Sequence, residues 1–238
     1  MTARVHVRRW KRWLAIGIAV AAIALVGGPY VYIHFIEGAA PPPLTLSTPS
    51  PTSSAGGITS AGQSSASEGT WKVSSGSVVG YRVKEVLFGQ SNEAVGRTSS
   101  ITGSIIVDTT TVTGGSFTVD MATVTSDQSR RDDSFTGRIM ETSTYPTATF
   151  RLTDPIDFGS SPADGAQRTL QAKGELTLHG VTKTVAFDVT ARYTGSGIQV
   201  AGSIPITFSD WNISNPSFGP AQTEDHGVLE FALNFSHA

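Results

Sequence analysis

Beyond residue 70 the chain offers three histidines and no cysteine. His226 stands beside Glu224 and Asp225 in a TEDHG stretch. That stretch could hold a metal weakly, but it reads more simply as a solvated polar loop. His179 sits in a His179-Gly180 turn, and His237 is next to the C-terminus. No histidine pair has the spacing of a zinc helix motif. No Gly-x-Ser-x-Gly elbow and no phosphate loop is present. Asp132 and Asp133 are adjacent, so in a strand they would face opposite ways and make no glycosidase pair. The missing cysteines exclude thiol catalysis, disulfides, thiolate metal sites and a lipid anchor on an N-terminal cysteine. Catalysis is not supported, and no cofactor or metal is required. What remains is Arg130, Arg131, Asp132 and Asp133. Arginines at the mouth of an apolar cavity can pair with a phosphate or a polar ligand head. The same cluster can instead pin a short segment to a rim, and the two roles can coexist.

The elements that must position these residues are strands. From residue 70 onward the apolar pattern has period two and is rich in Val, Ile, Thr and Phe. Val79, Tyr81 and Val83 alternate with Gly80, Arg82 and Lys84. Further runs cover 101–107, 116–124, 148–152, 170–178 and 181–193. In the last of these, Val185, Phe187, Val189 and Ala191 share a face. Ile198, Val200, Gly202, Ile204, Ile206 and Phe208 share a face in the next run, and Phe231, Leu233 and Phe235 in the final one. That predicts about eight strands. Gly114-Gly115, His179-Gly180 and Gly195-Ser196-Gly197 read as turns between antiparallel strands. Gly80, Gly103, Gly174 and Gly202 fall inside strands, where glycine marks a sharp bend or a close approach. A closed, coiled sheet accounts for these glycines and for the management of edges. A two-sheet sandwich is the alternative. Ser129 to Met140 (SRRDDSFTGRIM) breaks the alternation and predicts one or two helical turns, placed to plug or lid one mouth of a barrel.

The N-terminal part is different in kind. The whole chain has 238 residues and a net charge of -2. Residues 1–13 carry five Lys/Arg and no Asp/Glu, so the rest holds 12 Lys/Arg against all 19 Asp/Glu, a net of -7. An acidic main domain argues against nucleic acid as its partner. Leu14 to Ile36 is free of formal charge. As a helix it is about 34 Å long, enough to cross a bilayer. The basic cluster at 1–13 would hold the N-terminus in the cytoplasm. A cleaved signal peptide ending near Ala39-Ala40 is the competing reading. Both readings place the main domain outside the cytoplasm. In 37–69, 27 of 33 residues are Pro, Gly, Ser, Thr or Ala, which predicts a disordered spacer. The folded domain is then 70–238.

Several stretches together resemble the YceI-like, polyisoprenoid-binding family of lipocalin-like barrels. SGSVVGYRVKEVLFG resembles that family's first strand and VGRTSSITGSIIVD its Gly-containing next strand. TSDQSRRDDSFTGRIMETSTYPTATFRL resembles its most distinctive block, with Arg131-Asp132, a short helical stretch, Tyr145-Pro146 and Ala148 to Phe150 in order. GELTLHGVTKTVAFDV resembles its Gly-x-Leu-x-Leu-x-Gly-Val-Thr-Lys-x-Val strand pair. The resemblance covers about residues 71–236. It implies an all-β, eight-stranded antiparallel barrel with an elongated apolar lumen. It also implies a non-catalytic protein holding a polyisoprenoid, an isoprenoid quinone or a similar lipid outside the cytoplasm. A non-catalytic surface interaction or stress-associated module with a filled barrel is the other reading. Two stretches depart from the family. Lys84-Glu85 stands where the family often has histidine, and ITFSDWNISNPSFG shows no obvious arginine.

The lumen candidates are Val83, Phe117, Phe150, Phe187, Ile204, Phe208 and Phe231, together with Trp211, which reads as a cavity wall or a core aromatic, and with Arg130 and Arg131 at the rim. Ligand would be held by apolar burial, and its selectivity set by lumen shape.

Overall fold

The computed structural model describes residues 10, 13–21, 23, 27, 28, 40–46, 68–87, 89–160, 165–217, 219 and 221–238. The predicted span 14–36 lies partly outside these residues, and most of the predicted spacer wholly so. Among the described residues no helix is long and apolar enough to cross a membrane.

The strands are β1 (Gly69–Val73), β2 (Val78–Leu87), β3 (Gln90–Thr98), β4 (Ile101–Asp108), β5 (Thr111–Asp120), β6 (Thr147–Leu152), β7 (Ile156–Asp157), β8 (Gln167–Leu178), β9 (Val181–Tyr193), β10 (Gly197–Thr207), β11 (Ala221–Thr223) and β12 (His226–His237). They form eight antiparallel staves. β1 and β2 make one interrupted stave, because both pair with β12: Val73 opposite Phe235, and Val78 opposite Ala232. β3 and β4 make the second, pairing with β2 and β1 respectively. The sheet then runs β4–β5–β6–β8–β9–β10–β12, and the β12–β1 pairing closes it. A sandwich would leave that seam open. The interruption at residues 74–77 is stitched by Ser77, which is buried. Its Oγ accepts from the Asn234 amide (3.0 Å) and donates to the Ser74 carbonyl (2.8 Å).

Turn chemistry explains most of the register. His179 and Gly180 both have positive φ, 49° and 75°, the pattern of a two-residue type I′ hairpin. β8 and β9 therefore pair over their full length, from Leu178–Val181 to Gln167–Arg192. Gly114-Gly115, expected to be a turn, lies inside β5 opposite Ile106 and Ile105. The turn is at Thr109 (φ 52°), and a register shift between Ile106 and Val107 absorbs the mismatch.

The expected insert is present. Ser129–Ser134 is helical, and Phe135–Ile139 continues as a wider turn closed by the Met140 amide on the Phe135 carbonyl (2.8 Å). It packs Phe135 and Met140 into the core together with Met121 and Val124 from the stretch before it. The opposite end is sealed by a second cluster of Trp71, Ile101, Ile105, Val107, Leu233 and Phe235. Trp71 is 2% exposed and takes Tyr193 and His237 edge-on.

Residues 40–46, within the predicted spacer, are described and lie against the barrel wall. The Pro41 carbonyl accepts from the Arg82 guanidinium at 2.7 Å, and the Pro42 carbonyl accepts from Arg97. Low apolar content gave no reason to expect an ordered stretch there. The contacts are polar, made by backbone carbonyls that every sequence carries.

Three of the strand glycines let an aromatic ring lie flat on the wall. A Cβ on Gly103 would fall 2.6 Å from the Phe117 ring, one on Gly174 2.4 Å from Phe150, and one on Gly202 2.7 Å from Phe231. At Gly174 the Arg151 carbonyl, fixed in the ladder, is also 2.4 Å away. Gly174→Ala is expected to lose about 2–3 kcal/mol through overpacking. Gly114→Ala is the control: its Cβ would meet nothing nearer than the Ile106 side-chain tip at 3.6 Å, so stability should be unchanged or slightly raised. Urea denaturation of both variants measures the difference.

Candidate functional site

Strand alternation determines what faces inward. On β8 the even positions Leu170, Ala172, Leu176 and Leu178 point in; on β9 the odd positions Phe187, Val189 and Ala191 do so. Val200, Ile204 and Ile206 come from β10, and Leu229, Phe231, Leu233 and Phe235 from β12. Together they enclose a cavity of about 570 Å³ with an overwhelmingly apolar wall. That volume lies within the roughly 300–1,000 Å³ typical of small-molecule sites.

Phenylalanines form a belt along the wall. Ring centroids run from Phe235 to Phe117 at 5.9 Å, Phe117 to Phe150 at 6.5 Å, Phe150 to Phe187 at 5.5 Å, and Phe187 to Phe231 at 5.9 Å. Most of these contacts are edge-on, the preferred geometry for packed aromatics. The belt narrows the middle of the barrel without filling it.

Nine of the ten candidate residues line this cavity: Val83, Phe117, Phe150, Phe187, Ile204, Phe208, Phe231, Arg130 and Arg131. Trp211 does not. β10 ends at Thr207, and the tight turn Phe208–Trp211 rotates the chain out of strand alternation. Trp211 is 3% exposed in the core, and its carbonyl lies 3.3 Å from His179 Nδ1.

The mouth carries the charges. Glu85 continues the inward face of β2 and sits at the rim. Its Oε1 takes a hydrogen bond from Asn92 (2.9 Å) and an ion pair from Arg131 of the insert (3.4 Å). Arg131 also pairs with Asp127. Asp132 accepts from the amide and hydroxyl of Ser126 at 2.8 and 2.6 Å. The Arg–Asp cluster thus ties the insert to itself and to β2. Arg130 is exposed on the rim. Burial lowers the Arg131 pKa, but Asp127 and Glu85 outweigh it and leave it raised, so the guanidinium stays charged. At the other end Arg168 lines the cavity, donating to the Phe158 carbonyl and to Ser160 Oγ (2.9 Å).

Tyr81 and Phe135 were not among the candidates. Their rings stack at 5.0 Å and 12°, closing the mouth beneath the insert. Tyr81 was legible, since it shares a face with Val79 and Val83. Phe135 was not, because the insert has no strand periodicity. The TEDHG loop is exposed: His226 lies 2.8 Å from Asp225 and 3.2 Å from Glu224. Among the described residues no group of three or more His, Asp or Glu could hold a metal.

Burial pushes the Tyr81 phenol well above the ordinary tyrosine value, with Arg131 opposing and the nearby carboxylates adding to the shift. The folded state therefore keeps a proton that the unfolded chain releases near pH 10. Stability from this group is complete below that pH and is lost as pH rises beyond it. In an ultraviolet titration the wild type is expected to show one late-ionising tyrosine that is absent in Tyr81→Phe.

Residues 71–235 match the YceI-like domain family. A UPF0312 protein of Vibrio cholerae serotype O1 is 30% identical over 105 residues, 43% of this chain and 51% of that protein. The chain thus spans about half the length of the curated relatives it matches. Among solved structures, a polyisoprenoid binding domain from Saccharophagus degradans implicated in plant cell wall breakdown superposes with a TM-score of 0.59. Its identity is 16%, over 72% of this chain and 99% of that one. BcnA of Burkholderia cenocepacia gives a TM-score of 0.50 at 23% identity, over 65% and 95%. At these identities the likeness is one of fold. With the closed barrel, the insert and the family match over most of its length, the chain belongs to the YceI-like domain family.

Proposed function

We propose that the barrel holds a long apolar ligand, a polyisoprenoid, an isoprenoid quinone or a similar lipid, in its lumen, as a non-catalytic binding protein. The observation that carries this is the apolar cavity of about 570 Å³ that runs along the phenylalanine belt from the insert to Arg168. The polyisoprenoid binding described for the Saccharophagus domain supports the ligand class. Each methylene removed from water contributes about 0.8 kcal/mol. Association costs on the order of 4–15 kcal/mol. Short tails therefore bind poorly, and affinity climbs with chain length until the lumen is full.

The basic start and the uncharged run 14–36 support a single-pass anchor with a cytoplasmic N-terminus and the barrel outside. In this reading the barrel takes its ligand at the outer face of the cell membrane. A C-terminal alkaline phosphatase fusion in a bacterial host should be active, and it should stay with the membrane fraction after carbonate washing. An inactive fusion would place the barrel in the cytoplasm, and an active fusion released by washing would mean a cleaved leader.

Native mass spectrometry of the full chain purified from a membrane-containing host, followed by organic extraction, tests the ligand. A co-purifying prenyl lipid is the expected result. Titration with prenyl alcohols of increasing length should show affinity rising about fourfold per buried methylene and then levelling. Ala172 faces the lumen and is 4% exposed. Ala172→Trp, filling the space opposite Phe187, should abolish binding while the barrel's circular dichroism is kept. A protein that carries no lipid and shows no chain-length dependence would favour the filled-barrel surface module.

A further inference from the structure

The outer wall carries a row of buried charge with a piece of this chain's own linker seated on it. Arg97 on β3, Gly80 on β2 and Glu230 on β12 are consecutive partners across three strands. The gap between the outer two strands is roughly 10 Å. Arg97 crosses it because Gly80 has no side chain: a Cβ there would lie 2.9 Å from Arg97 Cγ. Its guanidinium reaches Glu230 Oε1 at 2.8 Å. Arg82 approaches the same carboxylate at 3.3 Å and also pairs with Glu93 at 2.6 Å. Glu230 is 3% exposed and Arg82 9%, although each alternates with inward neighbours, Glu230 with Leu229 and Phe231 and Arg82 with Tyr81 and Val83.

Each guanidinium has five N–H groups, more than these carboxylates accept in this geometry. Proline-rich backbone suits the surplus. In an extended proline segment the carbonyls project freely, and there are no N–H groups to satisfy. Arg82 donates to the Pro41 carbonyl (2.7 Å) and Arg97 to the Pro42 carbonyl. Leu44, the first residue past the prolines with an N–H, returns a hydrogen bond to Glu230 Oε2 (3.4 Å). The proline rings themselves are exposed. The wall thus reads backbone: two donors, then an acceptor, matched to Pro-Pro-Pro-Leu. A stiff segment also loses little entropy on docking.

We propose that Pro41–Leu44 is a strap, held in cis by the Arg82–Arg97–Glu230 row, that fixes the start of the linker to the barrel. The spacer of 37–69 then does not act as one free tether. Residues 37–40 alone separate the 14–36 segment from the barrel wall, a reach of about 14 Å at full extension. A free 37–69 could extend on the order of 110 Å. The docking does not depend on the anchor reading. Its consequence, a barrel held close against the bilayer with its mouth near lipid, does.

The test uses the full chain in detergent micelles, with hydrogen exchange read at the Leu44 amide. We expect exchange at least tenfold slower than in a synthetic peptide of residues 37–50. Replacing Pro41, Pro42 and Pro43 together with glycine should restore the peptide rate while the β8 and β9 amides stay protected. Chymotrypsin should cut after Leu44 and Leu46 at least tenfold faster in that variant. Arg97→Gln, attacking the wall side, should show the same release. A wild-type Leu44 amide exchanging at the peptide rate overturns the proposal. Protection that vanishes on dilution, with a dimer in sedimentation, also overturns it, because the strap would then belong to a second copy. In lipid vesicles, energy transfer from a donor dye on Ser196→Cys, an exposed loop position in a chain with no cysteine of its own, to a headgroup dye should fall in the glycine variant. If the chain does not float with vesicles, the anchor reading fails, and the Leu44 exchange rate still decides the strap.

Discussion

A closed sheet of eight strands must put its inward side chains somewhere, and here the large ones are kept out of the middle. Phe117, Phe150 and Phe231 lie over Gly103, Gly174 and Gly202, and Tyr81 lies over Gly96. Each glycine removes the Cβ that would otherwise push the ring toward the axis. The rings keep their apolar burial and edge-on contacts along the wall, and volume is left between them. Ordinary strand residues at these positions would clash with the rings and force them off the wall. The cavity is therefore a consequence of side-chain pairing between neighbouring strands, not of barrel diameter alone.

The same device appears on the outside with a different result. Gly80 clears a path for Arg97 to cross a whole strand, and the crossing brings Arg82, Arg97 and Glu230 into one row. A buried carboxylate with two arginines is expensive unless the remaining hydrogen-bonding capacity is met. The backbone of residues 41–44 meets part of it. Lumen and outer row are built on alternate residues of the same strands: Tyr81 and Val83 inward, Arg82 outward; Phe231 inward, Glu230 outward. A one-residue slip of β2 against β12 would place charge in the lumen and phenylalanine on the wall. The register is thus held from both faces.

The strands, their inward faces and the His179-Gly180 hairpin were legible in the sequence, because each is a local pattern: alternation, or two residues with forced φ. Trp211, between Asp210 and Asn212, reads from the sequence as a cavity wall or as a core aromatic, and it is core because the tight turn after Thr207 takes it off the inward face. Gly114-Gly115 has turn composition, yet it lies in β5 because Ile105 and Ile106 pair with it across the sheet. The insert was visible as a break in periodicity, but its key contact, Phe135 on Tyr81, joins residues far apart in the chain. The strap was invisible for a plainer reason. Its contacts use carbonyl groups, and composition describes only side chains.

The two ends of the barrel are closed by different physics. At one end Trp71 sits in a cluster of aliphatic and aromatic side chains, a closure made chiefly by apolar packing. At the other, the insert rests on the Tyr81–Phe135 stack and on Arg131 bridging Glu85 and Asp127. Arg131 and Glu85 are only partly exposed, 16% and 10% by side chain, so their pairing is less screened than a surface bridge. It still faces water at the rim, where a polar ligand head could replace either partner. The mouth is held by the ion pair of Arg131 with Glu85, and a competing anion or cation carried on a ligand can exchange with either partner. If the lumen takes a lipid tail as proposed, the ion pair at the rim is the contact that its head group must exchange.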